Sequence, residues 1–158
     1  MKALPKYLAF VALALLFQAC SFNLETINGL PDSNRAREFS DEIATLIIKE
    51  DKDALYGMMS GYFRKTYPLE VMDDTFQRMS GHFGRLVDFE FKTDEVLNWQ
   101  YPDGSKTLAR KYWYRAKTTN AEMGKYYLQV TVMEENNGLA CLAFSLLDFP
   151  DGPPDALK

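Results

Sequence analysis

Arg110, Tyr112 and Tyr114 occupy alternate positions in the stretch from Thr107 to Thr118, so an extended backbone turns all three to one side. A planar guanidinium beside two phenols can grip a carboxylate or another anion, because arginine offers paired donors and each tyrosine a hydroxyl. Leu108 and Ala116 share that side, which marks it as the inner one, where an unpaired guanidinium is costly. Arg110 therefore lies at a pocket mouth on an anion, in an internal ion pair with a helix acid, or at an edge in water. His82 is the only histidine, and so the one side chain ready to exchange protons near neutral pH. Paired with Asp88 or Tyr112 it would transfer protons, yet its place between Gly81 and Gly84 equally suits a surface histidine at a helix end. Arg110, Tyr112, Tyr114 and His82 form the candidate ligand set, and no residue is given a catalytic role.

The opposite side of the same stretch carries Lys111, Trp113, Arg115 and Lys117. A tryptophan framed by cations is an anchor for a protein partner or a platform for a sugar; alternatively it packs beneath lysine stems. Met58, Met59, Met72 and Met79 recur at helical spacing, which indicates core filling rather than a soft-metal site. The acids from Glu50 to Asp53 lack calcium-loop spacing and read as a solvated junction between helices. Cys141 lies in the apolar run from Leu139 to Phe144, with no cation nearby in sequence to lower its pKa, so it reads as a small hydrophobe. No metal and no cofactor are expected.

At the N-terminus, Lys2 and Lys6 precede an apolar run from Tyr7 to Phe17, and Ala19-Cys20 follows. Eleven apolar residues are too few to span a bilayer, which takes about 20. A charged start, a short apolar middle and a small residue before the cut make a secretory signal peptide over residues 1–19. Cys20 directly after Ala19 resembles the cleavage site of bacterial lipoproteins, and an ordinary secreted protein with a chance cysteine is the alternative. The resemblance implies that Cys20 becomes an acylated first residue and holds the chain at a lipid membrane. Ser21, where an Asp would retain the protein at the inner membrane, implies the outer membrane facing the periplasm.

Cleavage there leaves 139 of the 158 residues and moves the formal charge from −4 to −6, since Lys2 and Lys6 are lost. That length makes one domain, able to bury about two-thirds of its unfolded surface without a metal or disulfide. An acidic chain without a basic stripe argues against nucleic acid and against electrostatic adsorption to anionic lipid.

The elements that must position these side chains follow from period and punctuation. Residues 20–33 read as a tether. Ser33 or Asp32 caps a first helix whose stripe is Ala36, Phe39, Ile43, Leu46 and Ile47. A shorter helical piece runs from Ala54 to Met59. A third helix opens near Pro68, carries Leu69, Met72, Phe76, Met79 and Phe83 on one side, and stops at Gly81 or Gly84. The period then changes to two. Val87, Phe89, Phe91, Leu97, Trp99 and Tyr101 are all odd-numbered on one long, bulged strand, which sets them on one face.

Asp103-Gly104 as a two-residue turn pairs Trp99 with Leu108 and Leu97 with Arg110. A second reversal at 120–124 leads to a strand with Tyr126, Leu128, Val130 and Val132 inward. A third, at 136–138, leads to Leu139–Leu147. With Gly138 left-handed in a three-residue loop, Val132 pairs with Leu142, Val130 with Phe144, and Cys141 faces out; a two-residue turn reverses the faces. Residues 150–158, rich in proline, read as a disordered tail.

Helices followed by consecutive hairpins make an α+β fold, N-terminal helices packed on a curved antiparallel four-stranded meander over residues 34–149. The helix over Ala36–Ile47, the passage Phe83-Gly84-Arg85-Leu86-Val87 and the meander after it resemble the cystatin-like cone of the nuclear transport factor two-like superfamily. Within it, the chain is similar to small bacterial lipoproteins. Members include isomerases, dehydratases, ligand binders and inert partner modules. The resemblance therefore implies either a non-catalytic module that binds an envelope protein, a second copy or a small ligand, or a small-molecule enzyme using the cone pocket.

Overall fold

A computed structural model describes residues 29–149. The expected signal peptide over 1–19, Cys20, the expected tether as far as residue 28 and the expected tail over 150–158 lie outside the described residues.

The first helix, α1 (Ser33–Lys49), is capped by Asp32, whose Oδ1 accepts from the Arg35 N–H at 2.9 Å. The cap satisfies one of the four free donors that every helix start leaves. Ala36, Ile43, Ala44 and Ile47 are buried along one stripe, and Glu50 closes the helix in the left-handed conformation. Next comes α2 (Lys52–Met58), capped by Asp51. The aromatic stretch after it, for which no element was expected, forms a short helix, α3 (Gly61–Thr66), capped by Ser60. After Pro68 runs α4 (Glu70–Phe83), which ends at Gly84 with Gly81 inside it.

Four strands follow as a simple meander, β1 (Leu86–Gln100), β2 (Lys106–Thr118), β3 (Ala121–Glu135) and β4 (Gly138–Asp148), antiparallel in that order. The helices pack on one face, with α1 touching all four strands. The fold is therefore the expected α+β arrangement of helices on a curved meander.

Besides an extra residue after Leu86, which leaves Val87 47% exposed while Leu86 enters the core, register departs from expectation in three places. The β1–β2 loop has three residues, Pro102-Asp103-Gly104: the Tyr101 N–H donates to the Ser105 carbonyl, the Gly104 N–H donates back to the Tyr101 carbonyl, and Gly104 is left-handed. A type I turn closed by a left-handed glycine takes one residue more than the two-residue turn. Leu97 accordingly pairs with Ala109 and Trp99 with Thr107. Secondly, an extra residue at Lys92 breaks the alternation of β1, since Phe91 opposes Tyr114 and Thr93 already opposes Trp113. Such a bulge exchanges the faces beyond it. Phe89 and Phe91 pack toward the helices, whereas Leu97, Trp99 and Tyr101 join Ala109, Met133, Ala140 and Leu142 in a second cluster on the opposite face.

Thirdly, the β3–β4 turn has Asn136 and Asn137, both left-handed, as its two central residues, and Gly138 opens the strand. A bulge at Leu142 then restores the expected Val130–Phe144 pair but turns Cys141 inward against Val132. Cys141 is fully buried, and its thiol is pushed up to about 12 by that burial.

The main core joins Ile43, Ile47, Leu55, Met59, Met72 and Phe76 from the helices to Tyr112, Tyr114, Leu128, Val130, Val132 and Leu146 from the sheet. Each large apolar side chain so enclosed contributes about 1.5–3 kcal/mol relative to exposure. Met58 and Met79 pack against this core as well.

Candidate functional site

The inward face of β2 is as the alternation required: Arg110, Tyr112, Tyr114, Ala116 and Thr118 are buried in succession. What meets them comes from the N-terminal end of the domain. Arg110 is 7% exposed; its Nε donates to the Pro31 carbonyl at 2.8 Å and its Nη1 to Asp94 Oδ2 at 3.2 Å. The acid in this pair belongs to β1, not to a helix. Leu30 and Pro31, expected within a free tether, are buried and belong to the fold. The Tyr112 hydroxyl donates to the Ser33 carbonyl at 3.1 Å.

Tyr114, fully buried, has its hydroxyl 2.7 Å from Ser40 Oγ and 2.8 Å from Asp41 Oδ1. A carboxylate can only accept, so the phenol proton points to Asp41 and the Ser40 hydroxyl donates to the phenol oxygen. The same Asp41 oxygen accepts from Arg37 Nε at 2.8 Å, and the Arg37 guanidinium lies 3.5 Å from the centre of the Phe91 ring. Burial pushes Tyr112 up to about 12 and Tyr114 higher still, with the Asp41 hydrogen bond adding to the latter. Both remain neutral phenols at every physiological pH. Ser40, Asp41 and Arg37 are the partners that sequence reasoning missed. Ser40 and Asp41 are polar residues four and five positions beyond Ala36 on a helix face turned to the sheet, a weak signal without the register of β2.

His82 lies elsewhere. It is exposed in the last turn of α4, edge-on to Phe83 at 4.5 Å. The Phe83 carbonyl accepts from Thr118 Oγ1, so this helix end sits at the far end of β2 from Arg110. Eight residues of strand separate those ends, about 26 Å. The structure thus unites Arg110, Tyr112 and Tyr114 along one strand and does not bring His82 to them. Beneath the end of α4, Ile47, Phe76, Met79, Gly84 and Leu86 line a recess of about 10 Å³, room for one water at most.

On the outer face, Trp113 is half-buried, with Nε1 donating to Glu95 Oε1 at 3.2 Å. The cations around it are paired: Lys111 with Glu95, Arg115 with Glu90, Lys117 with Glu122, at 3.2, 3.2 and 3.6 Å. Phe149 stacks near both Trp113 and Tyr127, at 6.3 and 5.6 Å between ring centres. Toward β3 and β4 the face continues with uncharged Gln129, Thr131, Ala143, Ser145 and Leu147.

Among the described residues no group of three His, Cys, Asp or Glu side chains is placed to hold a metal ion, and no helix is long and apolar enough to cross a membrane. A scan against models of known families finds no match, and searches of curated proteins and of solved structures find none either.

Proposed function

We propose that the protein is a bacterial envelope lipoprotein, anchored through acylated Cys20, whose folded part is a non-catalytic interaction module of the nuclear transport factor two-like type. The signal-peptide pattern ending at Ala19-Cys20 supports the anchor, and the helices laid on a four-stranded meander support the cone. The observation that carries the non-catalytic reading is how the inner face spends its polar groups. Arg110, Tyr112 and Tyr114 are each bonded to residues between Pro31 and Asp41 or to Asp94, which fills the place where a cone enzyme would hold its substrate. A proton-transferring pair needs a group that titrates near the working pH, and these phenols are pushed away from it. The outer face around Trp113, Tyr127 and Phe149 is the contact for an envelope protein or a second copy, since Trp113 and Phe149 are half-buried aromatics beside buried Tyr127, their flanking cations are already paired, and large aromatics are the usual anchors of interfaces.

Expression of the full chain in a Gram-negative host, followed by fractionation and intact native mass, tests the reading. The expected species is residues 20–158 with acyl chains on Cys20, in the membrane fraction, released by Cys20→Ser. It should carry no small molecule, and a protein partner should be lost on Trp113→Ala. A chain that keeps residues 1–19 or stays soluble overturns the anchor. A small molecule of constant mass carried through purification overturns the non-catalytic reading and favours the cone enzyme.

A further inference from the structure

Three of the five large hydrophobic side chains most exposed in the domain fall within eight residues: Tyr62, Tyr67 and Leu69, at 39%, 44% and 38%. They belong to α3 and the turn after it, where Tyr62 and every residue from Arg64 to Glu70 are exposed. Arg64 and Lys65 are the only charged residues in sequence between Asp53 and Glu70, so α3 presents a local charge of +2, whereas Leu69 borders a recess lined by Glu50, Asp51, Asp53 and Asp73. Among the described residues neither Arg64 nor Lys65 has an ion-pair partner, unlike the cations of the outer sheet face. The segment is held in place. The Tyr56 hydroxyl donates to the carbonyls of Tyr67, at 2.7 Å, and Arg64, at 3.2 Å. Tyr62 packs on Tyr101 with ring centres 4.9 Å apart. The Glu135 carboxylate accepts the Gly61 N–H at 2.8 and 3.1 Å.

This segment lies at the end of the molecule where the chain enters the fold. Pro31 is bonded to Arg110, which pairs with Val132, and Glu135, holding α3, is three residues further along that strand, about 10 Å away. Tyr101 flanks the tip of the β1–β2 hairpin at the same end. We propose that α3 with the turn to Tyr67 is a membrane-docking surface: Tyr62 and Tyr67 enter the headgroup boundary of the bilayer while Arg64 and Lys65 meet its anionic lipid, the acid-lined Leu69 staying outside. Tyrosine rings with lysine and arginine heads are the residues that settle at that boundary. Two cations on an acidic chain are too few to recruit it from solution. They suffice to orient a chain already tethered nearby, because tethering makes the contact an intramolecular one. The proposal rests on the anchored reading above, since the tether supplies that proximity.

The test is hydroxyl-radical footprinting of the acylated full chain in vesicles of phosphatidylethanolamine and phosphatidylglycerol, against the Cys20→Ser chain in solution. Labelling of Tyr62 and Tyr67 should fall severalfold in vesicles, while His82 and Val87 at the far end keep their solution rates. Each basic residue near an anionic surface shifts the docked-to-free ratio about fivefold, so Arg64→Gln with Lys65→Gln should reverse it about 25-fold and restore labelling. Equal labelling in vesicles and solution overturns the proposal. So does equal shielding in both, which would mean that a second copy or another protein covers the segment. If intact mass shows Cys20 without lipid, the anchored reading fails on its own. Docking is then judged with Cys20 coupled to a maleimide lipid, which buried Cys141 does not compete for.

Discussion

Thr131 and Tyr114 show how differently two buried hydroxyls are treated within one sheet. Thr131 is fully buried and its Oγ1 has no hydrogen-bond partner, so its hydroxyl carries an unreturned desolvation cost. Thr131→Val keeps the shape and removes that cost, so the urea midpoint should rise, by about 1 kcal/mol of stability. Tyr114→Phe should do the opposite and cost about 1–3 kcal/mol, because Asp41 and Ser40 lose the group between them. The pH response follows from the same burial. Cys141 and Tyr112 ionise in the unfolded chain from about pH 9 and 10 and in the folded one only at about 12. Below pH 9 both are protonated in either state and their contribution is complete. As pH rises toward 12 the unfolded chain holds fewer protons, so stability falls. Urea titrations at stepped pH should show that fall beginning near 9, with Tyr112→Phe flattening the part above 10. That Arg110 turns inward was legible from alternation alone. Its partners were not, since Pro31 is 79 positions away in sequence and nothing local announces the contact.

The strands and helices were legible as periods, and their registers were lost to single residues. Alternation in β1 carries no mark of the extra residue at Lys92, because a lysine after Phe91 and before Thr93 fits an alternating pattern, yet everything beyond it changes face. The Asn136-Asn137-Gly138 run offered a glycine for the left-handed position, and the chain uses the two asparagines instead, the geometry of a tight turn matched to strand twist. The short α3 was invisible because six residues give no full amphipathic repeat, and Ser60 alone marks its start. Glycines at turns yield a sharp prediction at this scale. Gly84 and Gly104 have nearly equal φ, +80° and +85°, so alanine is strained at either. At Gly104 an added methyl meets open space, whereas at Gly84 it would lie 2.6 Å from Thr119 Oγ1 and 2.9 Å from the Asn120 backbone. Gly104→Ala should cost about 1 kcal/mol and Gly84→Ala appreciably more, roughly 2–4 kcal/mol, by chemical denaturation. Equal losses would mean that the junction of α4 and β1 yields more easily than its packing implies.

At the scale of the molecule, both hairpin tips, α3 and the incoming chain share one end, while the end of α4, His82 and the β2–β3 turn share the other. Arg110 fixes the first end by bonding Pro31 to the sheet, and Tyr112 repeats the bond at Ser33. A pull on the incoming chain is therefore delivered to the central strands before it reaches α1. Under the proposed acylation of Cys20, the clamp also sets how far the domain can move from its anchor. Ten residues to Gly29 span at most about 35 Å, and releasing Leu30 to Asp32 extends that limit to about 45 Å. Arg110→Gln removes the charge that Asp94 pairs with and the donor that Pro31 accepts from. Asp94 is 34% exposed, so water takes over much of its partner's role and the loss stays below that of a fully buried pair. The domain should remain folded by near-ultraviolet dichroism. Thermolysin, which cuts ahead of leucine, should then release a fragment beginning at Leu30, a residue 4% exposed in the clamped fold. Persistent resistance of the Gly29–Leu30 bond in this variant would place the clamp in the packing of Leu30 and Pro31 instead of the guanidinium. Unfolding of the whole domain would show that chain entry and core form one cooperative unit.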